Sequence, residues 1–197
     1  MKTVKVLVAA SMVAALLAGC GSKTDTDTFR FASELDIQGM DSTVVDDGMS
    51  FNAIHAITDG LTAVNEKGKT APAIAKSWDV SDDGKTYTFH LRDAKWSNGD
   101  KVTANDFVYS WRKIIKDAGN YAYMLGNGGA SVKNADALME LGANATDEQM
   151  ATLGVTAKDD KTLVVELENK VPYFTDLMAF PCYFPQNEKF VEKCGKN

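Results

Sequence analysis

Few residues in this chain are equipped for bond chemistry. There are two histidines and three cysteines in 197 residues. His90 falls on the polar side of an alternating run, which makes it a surface residue rather than a base. His55 lies in a helical stretch with no obvious partner. No local nucleophile signature of the Gly-x-Ser-x-Gly type is present. Gly126-Asn127-Gly128-Gly129 is glycine-rich but lacks the Lys-Ser/Thr that completes a phosphate loop, so it reads as a connection. The acid pairs Asp82-Asp83 and Asp159-Asp160 sit between alternating runs, where aspartate favours turns. Asp46-Asp47 has no such neighbours and is the acid pair left over. These residues form no recognisable constellation for bond chemistry. No metal and no cofactor are expected.

Cys20 is a different case. Lys2 and Lys5 precede an apolar run, Val6 to Leu17, interrupted only by Ser11, and the run ends in Leu17-Ala18-Gly19-Cys20. A positive start, about a dozen apolar residues and small residues before a cut site describe a secretory signal peptide over 1–19. The run is shorter than the roughly 20 residues a spanning helix needs. Leu-Ala-Gly-Cys resembles the lipobox of bacterial lipoproteins. That resemblance implies diacylglycerol in thioether linkage to Cys20, cleavage just before it, and a chain lipid-anchored on the outer side of the cell membrane. Residues 20–28 are small and polar and bury too little to repay ordering, so they read as a flexible linker.

The full chain carries a net charge of −6, and removing the signal peptide takes two lysines and no acid. An acidic body with no basic run argues against nucleic acid as a partner. Cys182 and Cys194 lie on the exported side, where a disulfide is permitted. A bridge between them and a pair of free thiols both remain open, because spacing alone does not fix their distance. Neither belongs to a CxxC pair.

The elements that must position any site follow from periodicity. Thr28–Ser33 alternates as a strand, and Asp36–Gly48 is an acidic loop. Met49–Ile57 has helical spacing, and Leu61–Val64 is a short strand turned by Asn65–Gly68. Ser77–Leu91 is a hairpin around Asp83-Gly84, with Tyr87, Phe89 and Leu91 on one face. Thr103 and Asp106 open a helix whose stripe is Phe107, Val108, Trp111, Ile114 and Ile115, with Gly119 as its stop. Helices over Ala135–Leu141 and from Thr146, a second hairpin over Val155–Leu167, a short helix from Pro172 and a polar, partly helical end complete a mixed α/β (α+β) body.

The run from Ala75 through Trp78-Asp79-Val80-Ser81-Asp82-Asp83-Gly84-Lys85 to Arg92 resembles the signature of the family 5 extracellular solute-binding proteins. The likeness continues through Ala94-Lys95-Trp96-Ser97-Asn98-Gly99-Asp100, Val102 to Trp111, and Val171-Pro172-Tyr173-Phe174. The physics of this motif is structural: a hairpin, an aromatic anchor and a capped helix. Trp78, Trp96 and Trp111 are accordingly read as core.

The resemblance implies a type II periplasmic-binding-protein-like fold, of which this chain is a partial first lobe. Residues 29–60 and 171–197 would be lobe I core pieces and 61–170 a β-rich subdomain. The second lobe is absent, since family members are much longer. Alone, such a chain is expected to expose apolar surface and to be weakly stable. The implied role is the substrate-binding lipoprotein of an ABC importer, not an enzyme, acting as a monomer that presents an oligopeptide ligand to a membrane permease. Nickel, haem or sugar are alternative cargoes. A stand-alone surface lipoprotein in adhesion or signalling is an alternative of another class. By the same resemblance Asp46 falls on a cleft-facing acid, Gly48 on a backbone contact to the peptide, and Tyr121 on a cleft-lining tyrosine, with Tyr123 its rival. For the anchor, Cys20→Ala is expected to abolish incorporation of labelled palmitate and to release the chain from the membrane fraction. Undiminished labelling would refute the assignment.

Overall fold

The computed structural model describes residues 32–33 and 35–194. Cys20, the signal peptide, the linker and most of the expected first strand therefore lie outside the described residues. Ala32 and Ser33 carry no strand. Among the described residues no helix is long and apolar enough to cross a membrane. From Leu35 onward the chain forms one unit.

Its centre is an antiparallel four-stranded sheet ordered β3 (Ala75–Val80), β4 (Thr86–Leu91), β6 (Thr162–Glu166), β5 (Val155–Asp159). Strands β3 and β4 make the expected hairpin, with Trp78 opposite Phe89. Ser81 N–H donates to Thr86 O at 2.9 Å, and Gly84 takes φ +70° in the turn. That conformation is open to glycine at little steric cost. Strands β5 and β6 make the second hairpin, and β6 pairs with β4 so that Phe89 meets Leu163. Alternation sends Tyr87, Phe89, Leu91, Leu163 and Val165 to the buried face. A separate two-stranded sheet joins β1 (Thr62–Val64) to β2 (Thr70–Pro72).

Helix α2 (Ala104–Lys116) covers the buried face of the larger sheet, and its stripe is the one the sequence predicts. Phe107, Trp111, Ile114 and Ile115 are essentially inaccessible. Asp106 Oδ2 accepts from Thr103 N–H at 2.7 Å, the acid half of a capping box. Phe174, in the short helix α5 (Phe174–Leu177), completes the core against Tyr87, with ring centroids 4.4 Å apart. Helices α1 (Gly48–Ile57), α3 (Ala135–Leu141), α4 (Asp147–Met150) and α6 (Glu188–Cys194) flank this body. The capping box of α4 forms between Thr146 and Gln149, as its spacing predicts.

Two expectations need correction, and the alternative left open for Cys182 and Cys194 is resolved. Gly119 is not the residue that turns α2 off. Ala118 takes the left-handed φ of +49°, and Gly119 is needed for room, since a Cβ there would stand 2.0 Å from Thr43 O. The segment after Phe180 is not polar at its start, because Tyr183 and Phe184 are buried. Cys182 and Cys194 do not bridge: both are free thiols, the first buried and the second exposed. Burial pushes the Cys182 thiol far above its ordinary pKa and leaves it inert.

The α2 terminus makes an opposed pair of substitutions informative. Ala118→Gly relieves a left-handed alanine and is expected to raise stability in urea unfolding by about 0.5–1 kcal/mol. Gly119→Ala drives a methyl into a backbone carbonyl and is expected to lower it by about 1–3 kcal/mol. The same sign for both would refute this account.

Candidate functional site

The acidic loop is placed by a polar network built around Lys113, whose side chain is 12% exposed. Its ammonium meets Asp41 Oδ2 at 2.7 Å, Asp117 Oδ2 at 2.9 Å and Thr43 Oγ at 2.6 Å. Asp41 Oδ1 in turn accepts from Thr43 N–H, the Thr43 hydroxyl and Gln186 Nε2, at 3.0, 2.7 and 2.6 Å. Burial alone would raise the pKa of Asp41, but the bonds from Lys113, Thr43 and Gln186 outweigh it and hold the carboxyl below its ordinary value. Lys113 shows the same balance: burial opposes its charge, and Asp41 and Asp117 restore it, leaving its pKa raised. Upstream, Ser50 Oγ accepts from both Gln38 and Gly39 N–H, which pins the loop's start to α1.

From this anchorage the loop runs to Asp46, Asp47 and Gly48. Asp47 has a structural task that sequence reasoning missed: it is the N-cap of α1, accepting from Ser50 N–H at 2.8 Å. Asp46 is exposed, and its Oδ2 accepts from Asn120 Nδ2 at 2.5 Å. Gly48 is exposed at the first position of α1. A Cβ there would meet nothing within 4 Å, and its φ is not positive, so nothing within the folded chain demands glycine. The first N–H groups of a helix have no intrahelical acceptor.

Asn120 carries the connection onward to its neighbour Tyr121. The Tyr121 ring meets Phe51 of α1 edge-on at 5.2 Å, Phe180 at 5.3 Å and Tyr123 at 6.0 Å in a near-parallel stack. Tyr123 is 52% exposed. The three nominated residues, Asp46, Gly48 and Tyr121, are thus brought to one side of the molecule by α1 and the turn after α2, with Tyr123 beside Tyr121. Asn120, Phe51 and Phe180 were not legible as members. They join through contacts between segments far apart in sequence, and only Asn120's position beside a nominated tyrosine hinted at it.

The other candidates resolve as structural. His90 Nε2 lies 2.8 Å from Asp79 on the exposed sheet face. His55 packs edge-on to Phe184 at 5.2 Å, and its partial burial lowers its pKa. Asp83 and Asp159 accept from backbone N–H groups within their turns. Trp111 is core, whereas Trp78 and Trp96 are only partly buried against it. The glycine run packs tightly: a Cβ at Gly129 would stand 2.3 Å from Met124 O. No cluster of His, Cys, Asp and Glu among the described residues suits a metal ion. Two depressions lie away from these residues, one around Asn127, Asp136 and Glu168 and one lined by α2, α4 and α6. The Asp46–Tyr121 face combines an exposed carboxylate, bare backbone and aromatic rings. Such a surface offers hydrogen bonds and stacking but no general base aimed at a nucleophile.

The described residues thus form a mixed α/β body with an open polar and aromatic face. Comparison with known proteins gives the chain its family. The chain matches the model for bacterial extracellular solute-binding proteins, family 5 Middle, over residues 69–196. It belongs to that family. It is 39% identical over 203 residues to a dipeptide-binding protein of Lactococcus lactis, covering 100% of this chain and 35% of that one. It is 42% identical over 156 residues to the oligopeptide-binding protein OppA of Bacillus subtilis, covering 78% and 27%. Among solved structures it is similar to the substrate-binding domain of an oligopeptide ABC transporter from Bacillus anthracis, with TM-score 0.77 and 41% identity, covering 84% and 31%. The fold is accordingly part of the type II periplasmic-binding-protein architecture. The chain spans about a third of the length of the curated relatives it matches.

The Asp41–Lys113 pair carries a pH signature. A lowered carboxylate pKa contributes stability that is present above the unfolded value of 3.8 and is lost as pH falls through the folded value. A raised lysine pKa contributes stability that is lost only as pH rises past 10.5. Lys113→Met is expected to lower stability at neutral pH by about 1–2 kcal/mol and to flatten the loss seen below about pH 4. Urea titrations across the acid range check it, and an unchanged acid limb would count against the pair.

Proposed function

We propose that this chain forms the first part of a receptor that captures oligopeptides outside the cell and delivers them to an ABC permease. On this reading a diacylglycerol on Cys20 holds the receptor at the membrane, and residues 20–28 are its leash. Residues 29–60 and 171–197 contribute lobe I core pieces, residues 61–170 form a β-rich subdomain, and the receptor acts as a monomer. The observation that carries the proposal is the likeness, close to 40% identity, to relatives named for dipeptide and oligopeptide binding.

The face is suited to the task. A peptide main chain offers alternating donors and acceptors, which an exposed carboxylate and a bare backbone answer without reading side chains. Tyr121 and Tyr123 add aromatic area that tolerates many partners. Gly48 lets a bound chain approach the backbone closely, which accounts for a glycine that the fold itself does not require. The chain covers about a third of its relatives, so closure on the ligand is a property of the intact receptor.

Mass spectrometry of small molecules that co-purify with the intact receptor is expected to recover peptides of mixed sequence. Asp46→Ala and Tyr121→Ala are each expected to weaken peptide binding by about 3–10-fold in calorimetry, the scale of one lost polar or aromatic contact. Recovery of no peptide, or recovery of a metal chelate, haem or sugar instead, would overturn the assignment of cargo.

A further inference from the structure

We infer that Tyr183 is a positioning residue for the Tyr121–Tyr123 face, holding the turn that carries it through a hydrogen bond from its phenol to the Met124 carbonyl. The inference rests on the reading of that face as ligand wall.

Tyr183 is fully buried and is bound at both ends. Its backbone carbonyl accepts from Trp111 Nε1 at 3.0 Å, and its ring meets the Trp111 indole edge-on with centroids 5.6 Å apart. Its hydroxyl leaves this apolar setting to donate to Met124 O. Met124 closes a single turn of 3₁₀ helix, Ala122–Met124, flanked by Tyr121 and containing Tyr123. The turn's own bonds are local: Met124 N–H to Tyr121 O, Leu125 N–H to Ala122 O and Gly126 N–H to Tyr123 O. Three residues of 3₁₀ helix do not orient two tyrosine rings by themselves. The phenol of Tyr183 reaches the turn from a segment 59 residues away and ties it to the core of α2.

The chemistry of the residue fits the task. Phenylalanine would satisfy the packing against Trp111, so the buried hydroxyl needs its own justification, because an unbonded one is costly. Burial raises the phenol pKa, which keeps the proton available for donation. Met124 O also accepts from Ala130 N–H at 2.7 Å, within the capacity of a carbonyl with two lone pairs. Gly129 packs against the same residue, where a Cβ would lie 2.3 Å from Met124 O and 2.8 Å from Met124 Cα. Tyr183 and the Gly129–Ala130 backbone therefore clasp one carbonyl between them. Binding groups need support of this kind to hold their geometry to about 0.5 Å.

Tyr183→Phe removes the donor and keeps the ring, and Met124 O keeps its bond from Ala130. Hydrogen exchange is measured on the chain, and affinity for a randomised synthetic pentapeptide pool is measured on the intact receptor. The expected result is exchange about fivefold faster at Leu125, Gly126 and Ala130, the scale of one neutral hydrogen bond. Amides of α2 should stay protected, and pool affinity should fall about 3–10-fold. Gly129→Ala, whose methyl would press on the same carbonyl, is expected to reproduce both effects. Unchanged exchange in the turn, or acceleration spread equally through α2, overturns the inference. If Tyr121→Ala weakens binding and Tyr183→Phe leaves it intact, only the positioning role fails. If the unmodified receptor does not bind the pool, or Tyr121→Ala has no effect, the ligand-wall reading fails and takes the inference with it.

Discussion

The indole of Trp111 joins the layers of this molecule. It stands on the face of α2 that covers the four-stranded sheet, and its Nε1 reaches across to the carbonyl of Tyr183. Burying a tryptophan removes roughly 200 Å² from water, a gross gain of about 4–6 kcal/mol. The polar end of the same ring satisfies a buried backbone acceptor. The segment around Tyr183 is seated on α2 by this contact and by Gln186 N–H, which donates to Asp106 O at 3.2 Å. Phe180 and Phe184 in that segment pack against Phe51, Tyr121 and His55.

A second, polar anchorage complements the first. Lys113 leaves α2 half a turn after Trp111 and gathers Asp41, Thr43 and Asp117 around one ammonium. The apolar face of α2 thus holds the C-terminal segment, and its edge holds the acidic loop. Both supports converge on the side where Asp46, Gly48 and Tyr121 are displayed. The partners of the Lys113 network are themselves hydrogen-bonded, the condition under which partly buried charge is tolerated.

The Asp46–Tyr121 face combines three kinds of group. Its acid is exposed and bonded to an amide, its glycine is open, and its tyrosines pack against other rings. The chain that carries it belongs to the family 5 solute-binding proteins.

Much of this was legible in the residues. The period-two run Tyr87-Phe89-Leu91, the Asp83-Gly84 turn, the stripe from Phe107 to Ile115 and the Thr146–Gln149 cap each depend on neighbours within a few positions, and each formed where expected. Local sequence determines such elements because the dihedral and hydrogen-bonding preferences involved act over one turn or one pleat. Tertiary structure decided the rest. It made Asp46 the partner of Asn120. It gave the left-handed turn after α2 to Ala118, because the approach of Thr43 O claimed the space at Gly119. It also buried Tyr183 in a stretch whose composition reads as polar, and left Cys182 and Cys194 as separate thiols. The placements of Asp46, Tyr183 and Ala118 depend on contacts between distant segments, Asp46 with Asn120, Tyr183 with Trp111, and Thr43 against Gly119. No pattern confined to a local window encodes them.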